Sequence, residues 1–155
     1  MRFEQYCVLK EKLLACAVLP DGRKSMPQPA PLVLAYLGDA VFSLCVRERL
    51  AAAERGKVRV LNDVGAQIVC AAAQASALEE ILPLLTPEET AVVRRGRNAK
   101  SSVPKNATLH EYRQSTGFEC LLGWLHWRGD SGRLCFLLDR AFCFLIENLR
   151  KRAID

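Results

Sequence analysis

The chain has 155 residues, half of them hydrophobic and only 7% aromatic, which allows one domain with a sizeable core and excludes a long disordered or fibrous protein. The net charge is +5, and all of it lies between Arg94 and Arg113; the remaining 16 basic and 16 acidic residues cancel. Seven cysteines, an odd number without C-x-x-C spacing, and two histidines argue against a disulfide scaffold or a zinc site and for core thiols in a reducing cytoplasm.

In chain order, residues 2–19 are expected to form an amphipathic helix rather than a signal core, because Glu4, Lys10, Glu11 and Lys12 interrupt the apolar run. LPDGRKSMPQPAP (19–31) reads as a loop. These features set off an N-terminal appendage, 1–28, from a main domain, 29–155. A helix should start near Pro31, run to about Glu54 and stop at Gly56. An Ala-rich helix is expected from about Val60 to Leu78, with a short extension to Pro83. Thr86, Pro87 and Glu89 form a capping-box start for a helix over 86–98, with Gly96 weakening its end. A polar loop over 98–108 leads to a helical turn at 109–113, a helix from 116 to 128, a turn at 128–132 and a last helix from 133 to about 150. About seven helices without a strand define an all-α fold. Every apolar run long enough to suggest a membrane span contains Asp39 or the Asp139–Arg140 pair.

Two lone carboxylates stand out. PLVLAYLGDAVFSLCV (31–46) holds one charge, Asp39, after Gly38. Asp39 reads either as the cap of a second helix or as a buried acid that needs a partner. Glu119 is the one acid in STGFECLLGWLHW (115–127). It reads as the end of a Thr116 capping box or as a ligand. Each acid also has a glycine beside it or one turn away, Gly38 and Gly123. Two helices crossing at these glycines would bring the carboxylates together, and such a pair holds a proton or a cation. Oxygen donors favour a hard ion such as Mg²⁺. Arg94, Arg95, Arg97, Lys100 and Lys105 could then meet a polyanion. A solvated surface loop is the bland alternative. Tyr36 reads as a core aromatic with a bonded hydroxyl, and Trp124 and Trp127 as core or interface aromatics.

LAYLGDAVF (34–42) resembles the signature helix of ribonuclease III, and TGFECLLGW (116–124) resembles that family's second acidic motif. RRGRNAKS (94–101) and the stretch from Tyr112-Arg113 to Gly123 point to the Mini-ribonuclease III branch, which has no double-stranded-RNA-binding domain. The resemblance covers about residues 31 to 148. It implies a ribonuclease III-type endonuclease domain, with Asp39 and Glu119 catalytic and metal-binding. Arg94, Arg95, Arg97, Asn98, Lys100 and Lys105 would meet RNA. It further implies a cytoplasmic homodimer using Mg²⁺ (or Mn²⁺) to cut double-stranded RNA into 5′-phosphate and 3′-hydroxyl ends. The implied target is the large-subunit (23S) ribosomal RNA precursor. Leu32, Ala35 and Thr116 stand where full-length relatives have acids, which leaves few protein ligands. The segment 64–75 also lacks the basic residue that relatives tend to carry. Two rival readings remain: an RNA-binding module without catalysis, and an all-α protein-interaction scaffold.

Overall fold

The computed structural model describes residues 5, 8–10, 12–13, 26–55, 57–99 and 108–152. Among the described residues from Pro31 onward there are six α-helices: α1 (Pro31–Ala53), α2 (Val58–Val69), α3 (Ala71–Ile81), α4 (Pro87–Arg97), α5 (Leu109–Arg128) and α6 (Ser131–Arg152). A 3₁₀ turn, Leu82–Leu84, links α3 to α4. Among the described residues there is no strand, and no helix is long and apolar enough to cross a membrane. Of the expected N-terminal helix, Gln5, Val8–Lys10, Lys12 and Leu13 are helical and exposed; the rest of that expectation lies outside the described residues.

The helix starts follow local chemistry. Proline opens α1 and α4, where its missing N–H has no helical partner to lose. Full capping boxes start α4 at Thr86–Glu89 and α5 at Thr108–Glu111. Each leaves two end N–H groups satisfied. Gly129, with φ of 68°, closes α5 in the left-handed region, which glycine adopts without a Cβ penalty.

Three boundaries differ from the sequence reading. The turn at 109–113 and the helix at 116–128 are one continuous helix, α5. The segment 60–78 is two helices, broken at Cys70, whose ψ of 156° is extended. Helix α1 runs unbroken through Gly38 and Asp39. Both capping readings therefore fail. Asp39 and Glu119 lie inside helices, and the Thr116 hydroxyl donates back to the Tyr112 carbonyl at 2.8 Å.

Helix α5 is the hub, packed chiefly against α1, α4 and α3, while α6 covers α3. Phe42 and Phe118 meet edge to face at 5.1 Å in the fully buried centre. Of the described cysteines, Cys45 and Cys120 are core thiols, but Cys70, Cys135 and Cys143 are exposed. Trp124 is buried and donates to Gln28 Oε1 at 3.1 Å. Tyr36 is no core aromatic: it is 82% exposed.

One ion pair ties the bundle's far end. Glu89, with its side chain only 5% exposed, accepts from Arg133 Nε and Nη2 at 2.8 Å, and Arg133 also reaches the Leu84 carbonyl at 2.7 Å. The Arg133 hydrogen bonds hold Glu89 below the ordinary carboxylate range. A depressed acid contributes stability above its unfolded value near 4.5, lost as pH falls through the folded value. Arg133→Met strands that carboxylate and is expected to cost about 2–3 kcal/mol at pH 7. Urea melts of the two proteins at pH 7 and pH 3.5 should show the difference shrinking in acid.

Candidate active site

The site is built by a helix crossing. A Cβ on Gly38 would overlap the Glu119 carbonyl oxygen and lie 2.8 Å from the Gly123 nitrogen. A Cβ on Gly123 would overlap the Leu34 carbonyl oxygen and lie 3.0 Å from the Gly38 nitrogen. The two backbones touch because neither glycine has a side chain. Asp39 follows the first glycine and Glu119 precedes the second by one turn, so the crossing sets both acids on one cavity of about 350 Å³. The two lone carboxylates of the sequence are thus brought together.

Their environments differ. Asp39 sits at the exposed rim, and Glu119 is partly buried. Burial first, and the Asp39 charge second, push the Glu119 carboxyl up to about 7, against a hydrogen bond from Gln74 that favours the charged form. Two acids held this way share a deficit of positive charge, which a proton or a cation fills. Among the described residues no group of three or more His, Cys, Asp or Glu could hold a metal, so any ion here takes its other donors from neutral oxygens or water.

The cavity also receives Tyr112, Ser115 and Thr116 from α5, Leu32, Ala35 and Tyr36 from α1, and Val69, Ala71 and Gln74 from the α2–α3 junction. Gln74 is 2% exposed; its Nε2 donates to the Val69 carbonyl at 3.0 Å, while its Oε1 has no partner. An orphaned buried carbonyl beside two carboxylates is an oxygen-rich donor set, which suits a hard divalent cation. Sequence reading missed Gln74 because it belongs to no spacing motif; a lone polar residue in an alanine run was the available signal.

The basic residues fall on the next surface. Arg94, Arg95 and Asn98 line a second cavity with Ala30, Pro31 and Leu32, and Leu32 borders the carboxylate cavity as well. Gly96 and Gly117 let α4 close onto α5, and the Arg97 stem lies over Gly117. That contact fixes the cationic end of α4 against α5, the helix that carries Glu119. Lys100 and Lys105 lie outside the described residues.

The class of protein follows from the sequence match: residues 32–130 match the Ribonuclease III domain. A Mini-ribonuclease 3 from Symbiobacterium thermophilum is 50% identical over 119 residues, covering 74% of this chain and 89% of that one. Another, from Brevibacillus brevis, is 45% identical and covers 74% and 87%. A crystal structure of a Fusobacterium nucleatum protein superposes with a TM-score of 0.66 at 24% identity, over 71% of this chain and 88% of that one; it carries the same fold. The chain belongs to the Mini-ribonuclease 3 branch of the ribonuclease III family, a family of endoribonucleases and hence hydrolases.

Proposed function

We propose that this protein is a divalent-metal-dependent endoribonuclease that hydrolyses phosphodiester bonds in double-stranded RNA. The observation that carries the reading is the shared cavity of Asp39 and Glu119, with the Glu119 carboxyl raised by burial and by Asp39. Asp39 and Glu119 would hold Mg²⁺, or Mn²⁺ in its place. When bound, the ion supplies charge neutralisation at the scissile phosphate and a more acidic water. The chain's own work is positioning. Helix α1 presents Asp39 from the solvent side, α5 presents Glu119 from the protein side, and the crossing fixes their spacing before substrate arrives.

Arg94, Arg95, Arg97 and Asn98, followed by Lys100 and Lys105, are the proposed RNA contacts. Cationic side chains on the cavity next to that of the acids suit a duplex read by its phosphates and 2′-hydroxyls rather than by base edges. The homodimer is supported by apolar surface on the outer face of α1, where Val33, Tyr36 and Leu44 are 55%, 82% and 58% exposed. A two-fold axis there would give each antiparallel strand its own site; sedimentation of the free protein tests it. The cytoplasm and the 23S ribosomal RNA precursor are proposed from the family resemblance. Residues 1–28 are proposed as an appendage to the catalytic domain 29–155.

The test is duplex RNA incubated with Mg²⁺, with EDTA and with Asp39→Asn. Cleavage in the first alone supports the reading; retained binding without cleavage would favour a non-catalytic module. Replacing Arg94 and Arg95 with glutamate is expected to weaken duplex binding about tenfold or more and to lower the slope of log affinity against log salt by about 2. Filter binding across a salt series reads both. Unchanged binding would leave the scaffold reading standing.

A further inference from the structure

Gln74 has more in its surroundings than a structural role uses. It opens no motif and lies on the first turns of α3, just past the break at Cys70. That break ends α2 and leaves carbonyls without helical partners. The Val69 carbonyl takes its hydrogen bond from Gln74 Nε2. A carbonyl only accepts, so this bond fixes which end of the side-chain amide is nitrogen. The same amide also supports the ionised form of Glu119. The nitrogen is thus fully explained as a tie between the α2–α3 break and the carboxylate.

The oxygen is not. Gln74 Oε1 is buried without a partner, on a residue that lines the cavity together with Asp39 and Glu119, both acceptors when ionised, and with Tyr36, Tyr112, Ser115 and Thr116. Ser115 and Thr116 lie on the same wall, but both hydroxyls donate to the Tyr112 carbonyl, at 3.0 and 2.8 Å. A buried acceptor beside two more acceptors is unfavourable unless something positive joins them. Leucine or methionine would fill the space without the orphan oxygen.

We infer that Gln74 is the third oxygen donor of the cation site: its carbonyl shares the ion with Asp39 and Glu119 while its amide holds Glu119 in place. This rests on the proposed nuclease reading, and it accounts for a site with two carboxylates and no third acid. Residues 74 and 119 come from different helices, so ion binding also clamps α3 to α5.

The experiment measures Mn²⁺ affinity by the paramagnetic resonance of free Mn²⁺, on the full chain without RNA at pH 8. Gln74→Met keeps length and helix propensity but removes the amide. It is expected to weaken Mn²⁺ binding about tenfold or more, and to raise the Mn²⁺ needed for half-maximal cleavage equally. Duplex binding in EDTA should stay at the parent level. Gln74→Glu, which returns an oxygen donor, should recover affinity to within a few fold. Asp39→Asn calibrates the site. If it abolishes Mn²⁺ binding while Gln74→Met binds like the parent, or while Gln74→Glu does no better than Gln74→Met, Gln74 is no donor and the nuclease reading stands. If Asp39→Asn leaves Mn²⁺ binding intact, the ion is elsewhere and both readings fall.

Discussion

Glu119→Gln is expected to lower duplex cleavage by about 10³-fold or more and, in the absence of metal, to make the protein more stable at pH 8. The two effects share one cause. The folded chain holds the Glu119 carboxyl at about 7, against an ordinary value of 4.5, through burial and then the Asp39 charge. A carboxyl raised on folding costs nothing while both states keep it protonated, below about 4.5. The cost grows as pH rises from there and is complete above about 7. It amounts to about 3 kcal/mol at most, nearer 2 after allowance for the part of Glu119 that solvent reaches. Glutamine is neutral throughout, so its advantage should be present at pH 8 and absent at pH 4. Urea unfolding of both proteins in EDTA at the two pH values measures it. An equal gain at both would mean that the substitution relieves packing, not charge. Asp39→Asn should lose cleavage to a similar extent while removing the second of the two causes that raise Glu119. The protein therefore carries a destabilised carboxylate at the place proposed for the ion, and on that proposal added Mn²⁺ should stabilise the parent far more than either variant.

How much of this could be read from the chain depends on how local each signal is. The cap at Thr86 was legible because its partner lies three residues away. The same pattern misled at Thr116–Glu119, where helix α5 continues from Leu109 and tertiary packing overrides a start signal. Gly38–Asp39 misled as a stop for the same reason: its glycine serves a helix crossing, not a helix end. The crossing itself could be anticipated from paired glycines and lone acids. The side that Tyr36 faces could not. Helix α1 is apolar nearly all round, so periodicity does not separate the core face of Leu34, Phe42 and Val46 from the outer face of Val33, Tyr36 and Leu44. The break at Cys70 was invisible because the surrounding alanines favour helix and no glycine or proline marks it; it becomes intelligible once Gln74 is seen holding the Val69 carbonyl. The cationic window was legible as charge, but the close approach of its helical part to α5 depends on Gly96 and Gly117.

Gly38→Ala should destabilise the protein severely for a single methyl, by about 4 kcal/mol or more. Helix propensity alone predicts the opposite sign, since alanine is favoured over glycine by about 1 kcal/mol inside a helix. The outcome turns on what the methyl meets. At Gly38 it meets the Glu119 carbonyl group, with the carbonyl carbon 2.7 Å away. Those atoms are backbone in the middle of α5, with no rotamer to change. Relief requires the two helices to part, and parting them opens the core around Phe42 and Phe118. Gly123→Ala meets the Leu34 carbonyl group in the same way and should cost as much. Gly132, in the first turn of α6, is the control: a Cβ there meets nothing within 4 Å, so Gly132→Ala should stabilise slightly, by no more than about 0.5 kcal/mol. Thermal melts of the three variants decide the matter. If Gly38→Ala melts with the parent, the helices do not touch at this point. The spacing of Asp39 and Glu119 would then have to come from somewhere else. If it folds only with loss of stability, cleavage should fall further than the folded fraction, because the displacement that admits the methyl also separates the carboxylates.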